Sequence, residues 1–362
     1  MTGIRAEDFI GRSKVGVAIC AMVVLTGAGG VHAQDSDSSL PLFAPAELEH
    51  SLRLPGMNDP VRRPMALHVD RRHGEIFVGD SGANRIVIFD RDGPYRYQFG
   101  CADHIGSPQG VVVDPEGHVF VLGTSRQGQR LVQFDFDGMY LDAIELAELG
   151  LPRIHGLACD EEDRLLLVGG DANVHVIRRD GRHVRQIDVA AAVSGGDREE
   201  LLFGEPSVRD GELWIPVSNR GLVFAFDVDS GDLLRSVGVR GNTPGQLNFP
   251  IAVDVTSHGI VAVLDKMRFA VVCYSLDGRF LGEFGGKGFR DGWFYHPSLL
   301  AVSDDDHVVV GQMLDGRIQL CRIPGYVRTR LVQASTERHE DDDDEASGAR
   351  GSDAAGATLR EP

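Results

Sequence analysis

The chain has 362 residues, 25% of them charged and 42% hydrophobic, which is room for one large domain or two ordinary ones and the balance of a soluble globular protein. Its formal net charge is -18 with only three lysines, Lys14, Lys266 and Lys287, and no run of arginines is interleaved with aromatics. Such a surface repels phosphate backbones and anionic lipids, which excludes non-specific nucleic-acid binding.

At the N-terminus Arg5, Arg12 and Lys14 precede an apolar stretch from Val15 to Leu25, and small residues then lead to Val31-His32-Ala33. That is the grammar of a signal peptide over residues 1–33, cut after Ala33, and it predicts a periplasmic or secreted protein with no integral membrane segment after cleavage. A membrane anchor is the competing reading, opposed by the short apolar core and the glycines after it. Cys20 follows Ile19, whereas a lipoprotein signal wants a small residue there. Residues 34–60 read as a linker, within which Glu49 to Leu54 has the pattern of an extra outer strand.

From residue 61 to 334 the sequence repeats. Asp80-Ser81-Gly82-Ala83-Asn84-Arg85-Ile86-Val87-Ile88-Phe89 runs from a strand end through a polar turn into an alternating strand, and a turn at Asp92-Gly93 follows. The turn glycine recurs as Gly93, Gly138, Gly181, Gly231, Gly278 and Gly325, spaced 45, 43, 50, 47 and 47 residues apart. Prolines open each unit at Pro64, Pro108, Pro152, Pro206, Pro250 and Pro297. Two independent markers in one phase define a repeat. Within unit two, Gly110–Asp114, His118–Leu122, Arg130–Asp135 and a segment from Tyr140 are strand-length, rich in branched residues and joined by short turns. No intervening segment is long enough, with a 3.6-residue period, to be a crossover helix. The fold class is therefore all-β, a single six-bladed β-propeller of four-stranded antiparallel blades. One such blade cannot bury both its faces, so neighbours must stack round a ring. For the sixth unit either Tyr326 to Val332 or the N-terminal strand supplies the outer edge. Residues 335–362 carry Asp341-Asp342-Asp343-Asp344-Glu345 among small residues and read as a disordered acidic tail.

Gly245-Gln246-Leu247-Asn248-Phe249-Pro250 followed by Ile251-Ala252-Val253-Asp254, the motif from Asp80 to Ile86, and the endings Phe99-Gly100 and Phe284-Gly285-Gly286 together resemble the NHL-repeat family from about Val61 to Val332. The resemblance implies a six-bladed propeller that binds a protein through its loop face. It also brings in the family's peptidyl-hydroxyglycine amidating lyases, whose channel histidines hold zinc. Here His68, His155 and His296 fall near first strands, but their registers differ. A divalent metal in the channel, serving a lyase or hydrolase, is thus the alternative to a non-catalytic module without cofactor that takes a protein, peptide or glycan.

Residues that follow the repeat read as structural. These are the carboxylates Asp70, Asp114, Asp160 and Asp254 after first strands, and Arg85, Arg130, Arg268 and Arg317 at the start of third strands. Residues that break it on the loop face are the candidates for binding: Arg153, His155, Asn219, Arg220, Arg290, Tyr295 and His296. The longest connection, Val189 to Glu205, lies on that face and includes a helical turn at 198–202. Trp214 has the setting of a residue packed between blades. Cys101, Cys159, Cys273 and Cys321 show no metal spacing and read as free buried thiols.

Overall fold

Short strands separated by turn residues pair with their sequence neighbours, and each blade is built that way. The computed structural model describes residues 43–56, 60–193 and 197–336; the expected signal peptide, the start of the linker and all but two residues of the acidic tail lie outside the described residues. Blade 1 comprises Pro64–Val69, Ile76–Asp80, Arg85–Phe89 and Tyr95–Gly100, and blade 2 Gly106–Val113, Val119–Ser125, Gly128–Phe134 and Tyr140–Glu145. Blade 3 comprises Ile154–Cys159, Arg164–Gly169, Asn173–Arg178 and His183–Asp188, and blade 4 Ser207–Arg209, Glu212–Val217, Leu222–Asp227 and Leu233–Val237. Blade 5 comprises Pro250–Val255, Ile260–Asp265, Ala270–Ser275 and Phe280–Gly285, and blade 6 opens with Pro297–Val302, His307–Gln312 and Arg317–Arg322. Every pairing among these strands within a blade is antiparallel and sequential. Each first strand touches the first strand of the next blade, and that of blade 6 touches that of blade 1, so the ring closes.

The core lies between the blades. Six apolar clusters form, and each spans the gap between two neighbouring blades. Between blades 4 and 5, for example, Trp214, Val223 and Ala225 meet Val253, Val261, Val263 and Val272. At roughly 1.5–3 kcal/mol per fully buried branched side chain, stability resides in these gaps and not in any isolated blade. The hairpin glycines sit in the same gaps. Gly93, Gly138, Gly181, Gly231 and Gly278 all have positive φ. A Cβ on Gly138 would meet Phe99 on the outer strand of the preceding blade at 2.3 Å, so both backbone and space demand glycine there.

The edge of the sixth blade is not the segment 326–332. Residues 325–336 form an α-helix. Val327, Leu331 and Ala334 follow a helical spacing, with Pro324 just before the first turn, and Val327 packs into the cluster between blades 5 and 6. The fourth strand is Glu47–Ser51, antiparallel to Arg317–Arg322. Before it, Phe43–Ala44 adds a parallel fifth strand to the edge of blade 5. Gly325, the last of the phased glycines, accordingly opens a helix instead of turning a hairpin. Among the described residues no helix is long and apolar enough to cross a membrane.

One left-handed residue closes the turn into the third strand of every blade: Asn84, Gly128, Ala172, Gly221, Phe269 and Gly316. The arginines beside these turns hold the chain that enters the blade. Arg85 donates to the Pro60 carbonyl, Arg130 to that of His104, Arg268 to those of Thr243 and Gln246, and Arg317 to those of Phe289 and Arg290. Arg85 also pairs with Asp80, which is fully buried and accepts the backbone N–H groups of Arg62 and Arg63. The four cysteines are unbonded, Cys159 partly buried and the others buried, and burial pushes the Cys101 and Cys321 thiols up to about 12.

Candidate functional site on the loop face and in the channel

Antiparallel blades place two kinds of connection on one face of the disc, the turns from second to third strands and the links from one blade to the next. The sequence candidates all fall there, in three places. Arg153 and His155 are exposed at the opening of blade 3, where partial burial and the Arg153 charge lower the His155 pKa. Asn219 and Arg220 lie in the second turn of blade 4. Asn219 donates from Nδ2 to the Glu200 carbonyl and accepts the Leu202 N–H at Oδ1, so it fastens the long 189–205 connection. That connection carries 3-10 turns at Val189–Ala192 and Arg198–Glu200.

Arg290, Tyr295 and His296 lie in the link from blade 5 to blade 6, and here aromatic rings converge. Phe289 is 68% exposed. Its ring is 4.1 Å from that of Tyr295, which is 4.5 Å from His296, which in turn is 5.8 Å from Phe269. The Lys287 ammonium stands 5.6 Å above the Phe269 ring. Phe269 and His296 both adopt left-handed backbone, with φ of 57° and 49°. For an aromatic residue that conformation costs about 1–3 kcal/mol and persists only where its surroundings enforce it. Tyr295 and His296 therefore come together, but Arg153 and His155 share no hydrogen bond, ion pair or ring contact with them. Phe269, Phe289 and Lys287 were missed. Phe269 stands where the equivalent turn of other blades has Asn, Gly or Ala, and that break was visible in the sequence.

The second feature is the channel. First strands line a central cavity of about 180 Å³, walled in part by Val111, Leu157, Leu300 and Ala301. At the end where first strands finish, Arg71 of blade 1 reaches across it. Its Nη1 donates to the Val208 carbonyl of blade 4 at 3.0 Å and its Nη2 to Asp254 Oδ1 of blade 5 at 2.5 Å. The other Asp254 oxygen accepts the Val302 N–H of blade 6. Asp70, Asp114 and Asp160 accept backbone N–H groups within their own turns, as their repetition implies. Asp254 instead joins three blades.

Among the side chains that line the cavity, His68 and Glu205 have no charged partner among the described residues. His68 is enclosed by the ring, and burial together with the Arg71 charge lowers its pKa to about 4. Glu205 ends the long connection, its backbone bridging to blade 5, and burial raises its pKa to about 8 against one N–H donated by Leu157. Both are neutral at pH 7. Both line the cavity, and loss of hydration is the largest cause of each shift. His68, His155 and His296 do not share a centre, and among the described residues no three His, Cys, Asp or Glu side chains cluster as metal ligands would.

No family model matches the chain. A stretch of 68 residues is 34% identical to human E3 ubiquitin-protein ligase TRIM32, covering 19% of this chain and 10% of that protein. The chain thus spans about a tenth of the length of that relative. Virginiamycin B lyase from Staphylococcus aureus superposes with a TM-score of 0.51 over 76% of this chain and 99% of its own, at 13% identity. A protein of unknown function from Bacteroides thetaiotaomicron gives 0.52 over 77% of this chain and 74% of its own, at 11% identity. At such identities the likeness is one of fold, and the fold is a six-bladed β-propeller.

Proposed function

We propose that the chain is an exported NHL-type propeller that acts as a non-catalytic binding module, engaging a polypeptide partner through the link between blades 5 and 6. The observation that carries this reading is the ring assembly of exposed Phe289 with the half-buried Tyr295, His296 and Phe269, beside the exposed Lys287 and Arg290. Aromatic and arginine side chains of this kind dominate the energy of protein interfaces. Local positive charge on an otherwise acidic protein favours a segment that sets a carboxylate next to an apolar side chain. The NHL-like motifs and the signal-peptide grammar supply the family and export parts of the reading. A metal-dependent lyase or hydrolase in the channel would need three ligands at one depth, which the described residues do not bring together.

Peptides selected against the intact protein from a random library test this. A peptide bound by the wild type is expected to lose about 30-fold or more in affinity against the Phe289→Ala, Tyr295→Ala variant, the scale of two hot-spot contacts. It should bind unchanged to Leu276→Ala, which alters an exposed residue in a hairpin on the opposite face. Equal binding to all three proteins would place the partner surface elsewhere.

A further inference from the structure

The channel cavity is separate from the ring assembly, and its chemistry is lopsided. Glu205 lines it with its carboxyl close to blade 3, where a Cβ on Gly156 would lie 3.4 Å from Oε2. No arginine, lysine or histidine of the described residues pairs with that carboxyl, and the Leu157 N–H is its one donor. His68 lines the same cavity and makes no hydrogen bond or ion pair with a described residue. The one cation that crosses the channel, Arg71, is already committed to Asp254 and the Val208 carbonyl. Much of the remaining wall is apolar.

A buried acid is normally matched by a cation, because an unpartnered carboxylate loses its hydration without recompense. Here the matching charge is not supplied by the chain. An anion would be set against the carboxyl groups of Glu205 and Asp254, and a metal ion would lack a third ligand among the described residues. A compact ammonium would donate to Glu205, whose carboxyl releases its proton to solvent as the cation binds, and to the neutral imidazole of His68, while its short hydrocarbon body filled the apolar wall. We infer that the cavity is a binding site for a small organic cation, a primary or secondary ammonium, held between Glu205 and His68. The volume suits a body on the scale of a benzene ring, for which about 150 Å³ of dry cavity suffices.

The probes are n-butylammonium, its neutral counterpart butan-1-ol, its anionic counterpart butyrate, and Zn2+. Each is titrated into the full-length protein at pH 7, following the Leu157 amide resonance and the thermal midpoint. n-Butylammonium is expected to shift the Leu157 amide saturably and to raise the midpoint, with the other three at least about tenfold weaker, the discrimination a charge-assisted hydrogen bond provides. Glu205→Gln should lower n-butylammonium affinity by about tenfold or more, and His68→Leu by less, since it removes one acceptor and leaves the carboxyl. Equal binding of butan-1-ol would make the cavity merely apolar. Undiminished binding to Glu205→Gln, preferred binding of Zn2+, or no Leu157 shift with any probe would each overturn the assignment. Should either variant fail to fold, the probe comparison on the wild type still decides.

Discussion

Glu205→Gln is expected to gain stability over the wild type as pH rises, by about 1.5 kcal/mol between pH 6.5 and pH 8. The carboxyl has a pKa raised to about 8 in the folded ring by burial, against 4.5 as the ordinary value. Below pH 4.5 both folded and unfolded chains carry the proton and Glu205 makes no difference. Between those values the unfolded chain has ionised and the folded one has not, so stability falls with each unit, and above about 8 the loss is complete. A glutamine cannot ionise, which removes the slope. His68 acts in the opposite sense. Its folded pKa is depressed to about 4 from 6.5, so its contribution is full above 6.5 and declines as pH falls towards 4. Together the two groups set a stability maximum between about pH 5 and 6.5. Comparing the variant with the wild type cancels the His68 part, because both proteins keep it. Denaturant midpoints measured from pH 5 to 9 check this, and parallel curves for the two proteins would mean that Glu205 is hydrated and ionised in the native state.

The repeat was legible because the same physics is imposed six times. Every blade needs a proline-opened inner strand and a left-handed residue at the turn into the third strand, five of the six also need a hairpin into the fourth, and so many copies of a weak signal add up. What was not legible is what only the closed ring creates. Segments 49–54 and 326–332 both carry apolar residues at intervals that suit an edge strand, and only the pairing of Glu47–Ser51 with a strand some 270 residues later decides between them. The 325–336 helix follows from the edge being already taken. Arg71 is a surface turn residue by sequence; that it spans the channel to Asp254 requires blades 1, 4 and 5 to face one axis. Glu205 stands immediately before a blade-opening proline, so its position along the chain was clear and its enclosure was not. On the loop face Tyr295 and His296 showed themselves by breaking the repeat. Phe289 was hidden because the link between blades has no fixed pattern to break.

Ring closure by the N-terminal strand carries the other large effect: Leu52→Ala should lose about 2–5 kcal/mol, the range for truncating a buried leucine that leaves a cavity. Leu52 is 4% exposed and lies with Leu54 and Val61 among side chains of blades 1 and 6, while Ala46 sits in the next cluster, between blades 5 and 6. One short segment thus seals two of the six gaps. Its hold is polar as well as apolar, since the Glu49 carboxylate pairs with Arg322 and with the buried His307 at 2.5 Å. Burial alone would raise the Glu49 pKa, but the Arg322 hydrogen bond and the His307 charge outweigh it and hold the carboxyl below its usual value. That part of the stability is therefore present above the ordinary carboxylate range and lost as pH falls through the lowered pKa, and exposure keeps it small. The apolar part is not local. A gap opened at the closing strand exposes the facing surfaces of two blades, and each blade is stable only against its neighbours. Deleting residues 43–54 is expected to abolish cooperative unfolding, whereas Leu141→Ala, on an exposed position of the blade 2 outer strand, should move the midpoint by less than about 0.5 kcal/mol. Denaturant unfolding followed by tryptophan fluorescence in a Trp293→Phe background, which removes the ring that contacts Phe43, reads all three, with Trp214 buried between blades 4 and 5 reporting from a part of the ring remote from the closing strand. A deletion variant that still unfolds in one sharp transition at the wild-type midpoint would show that the ring closes without its N-terminal strand.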